Sequence, residues 1–266
     1  MTNREIKRKI VSVQETVKIT KAMYSISVAK MIAAKGALSA AKEYLDVYRR
    51  ISDAASASFP KSEFFSRRGD RIGFLVIAGD KGLCGDHNAQ VIERAREAID
   101  RVSEKYIFTV GSITQETFKK AGYEVDMEYL RSSASYSSAA AIADDMLFLY
   151  ENDMLDVINV VYTDAERHEV KITTLLPLEA GKEKTELEPC NEASLRTCVR
   201  ERLIASLLYL LLSASLAEHT ARARIMSGST DNAEKMIAEL TAKYNRARQE
   251  SITRAMQDGY STDRSV

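Results

Sequence analysis

The apolar positions of this chain change their period twice. Near the amino end, Ile6, Ile10, Val13, Val17, Thr20 and Tyr24 step by alternating fours and threes, and Met31 and Leu38 keep the seven-residue beat. This is a heptad-like seam and predicts one long helix. Toward the carboxyl end, Ala233, Ile237, Leu240, Tyr244 and Ala247 repeat the pattern, and Leu203, Leu207, Leu208, Leu211 and Leu212 form a wider apolar face upstream. Fifty helical residues would span about 75 Å. Such lengths exceed those of ordinary globular helices and point to a coiled coil.

Between these blocks the pattern alternates. Residues 71–78, 105–111, 123–130, 155–164 and 168–178 are rich in β-branched and aromatic residues, as strands are. The segments between them (87–106, 112–122 and 137–153) have helical spacing. Strand–helix–strand alternation predicts a mainly parallel sheet with crossover helices. Only "AERH" separates the last two strands, which predicts an antiparallel hairpin.

Breaker residues set the same boundaries. No proline precedes Pro60 and none follows Pro189; eight of the eleven glycines lie between residues 69 and 181. The expected organisation is an amino-terminal helix over 1–59, a central α/β domain over 70–190 and a carboxyl-terminal helix over 192–258. Pairing the two helices antiparallel buries both seams, which predicts a rod with a knob. Gly228 followed by Ser229, Thr230, Asp231 and Asn232 resembles a capping cluster and predicts a kink or restart there.

Charge and composition narrow the function classes. The formal net charge is zero, which argues against a nucleic-acid binder. Residues 1–50 nevertheless hold eleven Lys/Arg against four Asp/Glu, a basic segment suited to an acidic partner. Cys84, Cys190 and Cys198 have no regular spacing and suggest free thiols. The start predicts no signal peptide. The uncharged run Leu203–Ala217 is shorter than a bilayer-spanning helix, so it predicts a buried segment with no membrane insertion.

One stretch invites a chemical reading. "GDKGLCGDH" (79–87) follows an apolar run and carries three glycines, a thiol and an imidazole. It is no phosphate loop, because Lys81 precedes Gly82 and no Ser/Thr follows. Its glycines are each three apart, so the dinucleotide fingerprint is also missing. Cys84 and His87 could meet on a first helical turn with Asp80 or Asp86 as orienting group, and Cys84-x-x-His87 could supply two metal ligands. A small buried cysteine and a structural turn are the commoner outcome. Asp144-Asp145 reads as a solvated helix face. Neither a catalytic site, a cofactor nor a metal is expected.

Three motifs then identify a resemblance. "SVQETVKITKAMYSISVAKM" (12–31), "GDKGLCGDHN" (79–88) and "TARARIMSGSTDNAEKMIAELTAKYNRARQESIT" (220–253) resemble, in order, the signatures of the gamma subunit of rotary F-type ATP synthases. The resemblance implies a non-catalytic central-stalk subunit whose paired helices turn inside a hexamer of alpha and beta subunits. Its knob would dock with the epsilon subunit on the membrane rotor ring, peripherally, at the cytoplasmic face of a bacterial membrane. It also implies partner-contact positions: Met23 toward the beta-subunit levers, Arg222, Gln249 and Thr253 on the shaft facing the beta ring, and the basic Lys21 and Lys30. Lys81 would be a contact residue of the central loop. The tail "QDGYSTDRSV" departs from the family's apolar, small-residue end and marks a divergent member. A non-motor coiled-coil scaffold and an α/β enzyme using Cys84 remain the alternatives.

Overall fold

A computed structural model describes residues 2–129, 134–179 and 192–262. Cys190 lies outside the described residues. The elements are α1 (Asn3–Ser58), α2 (Glu63–Ser66), β1 (Arg71–Ile77), α3 (His87–Ile99), β2 (Glu104–Val110), α4 (Ser112–Lys120), β3 (Met127–Tyr129), α5 (Tyr136–Glu151), β4 (Val157–Asp164), β5 (Glu169–Leu176) and α6 (Glu192–Thr262). The chain forms two compact units. One comprises Met1–Ser27 and Arg222–Val266, the other Val28–Ala221.

The central unit is built on a five-stranded sheet of order β3-β2-β1-β4-β5. β1 pairs in parallel with β2 and β4, and β2 pairs in parallel with β3. β5 adds the antiparallel edge through the expected hairpin. The strand pleat sends successive side chains to opposite faces. On one face Leu75, Ile77, Phe108, Val110, Ile158 and Val160 pack against α5 and α6 through Ile142, Met146, Tyr150, Leu203 and Leu207. On the other, Phe74, Val76, Ile107 and Val161 pack against α3 and α4 through Val91, Ala95, Ile99 and Phe118. A sheet covered on both faces explains why its central strands read as near-continuous apolar runs.

The uncharged run of α6 completes the first of these layers. Leu203, Ile204, Ala205 and Leu207 are fully buried, and Leu210, Leu211 and Leu212 nearly so. In this unit α1 also packs on α6. The Tyr44 hydroxyl donates to Glu201 Oε2 at 3.0 Å and Arg202 Nη1 donates to the Leu45 carbonyl at 3.3 Å. Burial lowers the Arg202 pKa to about 10.

Three expectations need correction. α6 runs without interruption through Gly228. Thr230 does not cap a new helix; its hydroxyl donates to the Met226 carbonyl one turn back at 2.9 Å, a bond that leaves the helix intact. The strand expected over 123–130 shrinks to Met127–Tyr129, and Leu130 lies outside the described residues. Gly122 has φ +84° and turns the chain, Tyr123 packs edge-on against Phe118 at 5.3 Å, and Asp126 accepts from the Ile107 amide at 2.7 Å. Asp144 and Asp145 are not simply solvated. Arg200 grips Asp144 with two nitrogens at 2.6 and 2.9 Å, and Tyr129 donates to Asp145 at 3.0 Å. The Arg200 hydrogen bonds hold the Asp144 carboxyl below its ordinary pKa.

Candidate partner-binding surface

The motif-bearing ends come together in the smaller unit. The Thr20 and Thr230 hydroxyl oxygens lie 2.7 Å apart and are buried. Lys21 Nζ reaches Glu234 Oε1 at 2.7 Å beside them. Both contacts fit an antiparallel pair. Counting outward from Thr20–Thr230 brings Val17 level with Ala233, Val13 with Ile237, Ile10 with Leu240 and Ile6 with Tyr244. All eight residues are buried or half-buried. The heptad-like spacing therefore does what its period requires, burying a narrow seam on each helix.

One seam position is displaced. Tyr24 is exposed, while Met23 is half-buried and Ser27 is buried, its hydroxyl donating to the Met23 carbonyl at 2.7 Å. The same count brings position 24 level with Met226 and position 27 with Ala223, both buried. The chain instead places the small Ser27 inside and the ring outside.

The expected contact residues fall into two groups. Lys21, Lys30, Lys81, Gln249 and Thr253 are exposed. Lys21 is held by Glu234, and Thr253 donates to the Gln249 carbonyl at 3.0 Å, one helical turn back. Met23 presents only part of its side chain. Arg222 differs from the others: it is 7% exposed. Lys21, Met23, Arg222, Gln249 and Thr253 belong to the smaller unit, and Lys30 and Lys81 to the central one.

The "GDKGLCGDH" stretch is a strand-to-helix turn. Leu83 and Gly85 take left-handed conformations, φ +62° and +66°, and α3 starts only at His87. Cys84 thus precedes the helix, so it and His87 do not share the first helical turn expected of them. It is 2% exposed, with Sγ 3.9 Å from the Lys81 carbonyl. The two carboxylates do other work. Asp80 Oδ1 accepts from the Ser112 amide at 3.1 Å, at the start of α4, and Asp86 accepts from Gln90 at 2.7 Å. Asn88 fixes the turn by accepting from the Gly79 amide at 3.0 Å. Among the described residues no group of three or more His, Cys, Asp or Glu is placed to hold a metal ion.

Sequence reasoning gave Thr230 a capping role and missed Ser213 and Glu218; all three are buried polar side chains on α6. Their signal was available: each is a polar residue at or beside a seam position, and such residues are retained inside only with a partner.

Comparison with known proteins gives a consistent picture. Residues 2–258 match the family model described as ATP synthase. The chain is 35% identical over 272 residues to the ATP synthase gamma chain of Halothermothrix orenii, covering 95% of each chain. It is 33% identical over 282 residues to that of Nautilia profundicola, covering 96% of this chain and 95% of the relative. Its fold is similar to a chain of the Euglena gracilis mitochondrial ATP synthase OSCP/F1/c-ring assembly, with a TM-score of 0.72 at 15% identity over 99% of this chain and 94% of the other. A chain of the rotor of the same enzyme gives a TM-score of 0.66 at 16% identity, covering 94% and 98%.

Proposed function

The chain belongs to the gamma-chain family of ATP synthases, and we propose that it works as the central shaft of such an enzyme, carrying rotation between a membrane rotor ring and a catalytic alpha/beta hexamer. The observation that carries this reading is full-length similarity to gamma chains combined with the antiparallel pairing of the motif-bearing ends. Catalysis then belongs to the beta subunits, and this chain's residues transmit force. Its partners are alpha, beta, epsilon and the ring. Its place is peripheral, at the cytoplasmic face of a bacterial membrane.

The contact surface follows from exposure. Lys21, Lys30, Lys81, Gln249 and Thr253 offer charge and hydrogen bonds to the hexamer, and Met23 offers a flexible apolar edge. Charge contacts reach further than apolar interlocking and tolerate a turning partner. Arg222 acts from a buried position and supports the shaft more than it touches a partner. Buried Cys84 is a packing residue of the turn.

Co-expression with alpha and beta subunits, followed by purification through a tag on beta, tests this reading. The expected product is a complex holding one copy of this chain per hexamer. Recovery of the hexamer without it overturns the proposal. A Cys84→Ala chain that no longer supports ATP turnover in an assembled, stable complex would restore the enzyme reading.

A further inference from the structure

The order β3-β2-β1-β4-β5 has a topological switch point between β1 and β4. The chain leaves β1 toward β2 and β3 on one side, and β4 then returns to the other. In open, mainly parallel α/β sheets, ligands bind in the crevice beyond the carboxyl ends of the strands at such a point. Here that place is filled by the chain's own helix.

Two adjacent strand ends press on α6. After β1, an added Cβ on Gly79 would lie 2.9 Å from the Glu218 carboxyl carbon and 3.0 Å from Asn88 Oδ1, so the Glu218 side chain of α6 fills the space beside this glycine. After β4, the Ala165 amide donates to Ser213 Oγ at 3.0 Å, and the Ser213 hydroxyl donates to the Thr163 carbonyl at 3.4 Å. Ser213 is 1% exposed and Glu218 6%. Ala165 also packs with Leu38 and Ala41 of α1 and Leu212 of α6.

We propose that α6 is the resident occupant of this switch-point crevice, and that Gly79 and Ala165 of the strand ends and Ser213 and Glu218 of the helix form a collar that stops the helix turning about its own axis against the sheet. The collar accounts for the glycine after β1 without any phosphate: Gly79 leaves room for the Glu218 carboxylate of α6. Torque entering the sheet passes into α6 at this collar, a role that rests on the shaft reading above. Ser213 and Gly79 are positioning residues.

The test uses complexes assembled with Ser213→Ala, which removes both hydrogen bonds, and Gly79→Ala, whose methyl displaces the Glu218 carboxylate from the strand end. Gly82→Ala is the control, because its Cβ would meet nothing within 4 Å in the same loop. The hexamer is fixed to a surface, a bead is attached to the central domain, and its angular variance is read during catalytic pauses. Ser213→Ala and Gly79→Ala are expected to raise the variance about twofold, Gly82→Ala to leave it unchanged, and Ser213→Thr to restore it. Wild-type variance in assembled Ser213→Ala and Gly79→Ala complexes overturns the collar.

Amide hydrogen exchange of the isolated chains is the second measurement, and it decides the matter if the variants do not assemble. Ser213→Ala is expected to speed exchange at Ala165 about tenfold while Leu75 within β1 stays at the wild-type rate. Equal acceleration at both amides means general destabilisation and also overturns the collar. If even the wild-type chain fails to join the hexamer, the shaft reading falls, while the exchange data still report whether α6 is held in the crevice.

Discussion

At the scale of single residues, buried polar groups are the specific features of both units. The Thr20–Thr230 pair has two hydroxyl protons and three acceptors: the Val17 carbonyl at 3.1 Å, the Met226 carbonyl at 2.9 Å and the facing hydroxyl. At 2.7 Å one hydroxyl donates to the other, and the accepting threonine donates along its own helix. Thr20→Val leaves the Thr230 oxygen against methyl groups and is expected to cost about 1 kcal/mol, with Thr230→Val alike. The double variant should cost less than the two singles together by about 0.5–1 kcal/mol, read from a thermal-melt mutant cycle. Strict additivity would mean the two hydroxyls do not interact. Asp156 offers a pH handle on the central unit. It is 6% exposed and accepts from Arg71 Nε and Nη2 at 2.9 and 2.7 Å. Those side-chain hydrogen bonds hold its pKa below the ordinary carboxylate value, against the opposing effect of burial. A depressed folded pKa means the stabilisation is complete at neutral pH. It begins to be lost as the pH falls to the unfolded value of about 3.9, and is gone below the folded one. Asp156→Asn should lower the melting temperature at pH 7 and make the acid side of the stability profile shallower. An unchanged acid limb would assign the acid sensitivity to other carboxylates.

The elements show which signals were legible and which were not. Heptad spacing over Ile6–Thr20 and Ala233–Ala247 predicted both helices, because a periodic seam repeated over several turns outweighs any single residue. The same spacing placed Tyr24 inside, where only side-chain size decides between it and its neighbours. Gly228 misled for a related reason. A glycine before a Ser-Thr-Asp-Asn cluster carries every local mark of a helix boundary, yet the layers Met226, Thr230 and Ala233 on one face keep the turn helical. The proposed contact positions rest on the motifs alone, and the proposed collar has no mark in the sequence, since it joins Gly79 and Ala165 to residues of α6 far along the chain. An added Cβ at Gly228 would meet nothing within 4 Å. Gly228→Ala should therefore stabilise the helix by about 0.5–1 kcal/mol, chiefly by restricting the unfolded chain. The check is the melting temperature together with far-ultraviolet circular dichroism. A lower melting temperature would mean the helix bends at Gly228 in solution.

Across the whole molecule, a net charge of zero conceals a division between the two units. Residues 1–27 and 222–266 carry fourteen Lys/Arg against eight Asp/Glu, and residues 28–221 carry twenty-four against thirty. The smaller unit is thus +6 and the central one −6. For a chain proposed to enter a hexamer by its paired ends, this polarity suits the approach: the positive unit is drawn toward acidic surfaces, and the negative one is not. Lys7, Arg8 and Lys9 are consecutive exposed cations on α1 that contribute half of the excess. Replacing all three by glutamine leaves the buried seam untouched, so the melting temperature should hold. Association with the hexamer at low salt should slow about tenfold, because these charges act mainly on the encounter rate. Raising the ionic strength from 0.05 M to 0.5 M should bring variant and wild type together, since the screening length at about 0.1 M is already near 10 Å. Stopped-flow mixing of labelled chain with hexamer reads both effects. A difference that persists at high salt would mean these cations make close contacts inside the complex, and that steering is not what the charge division supplies.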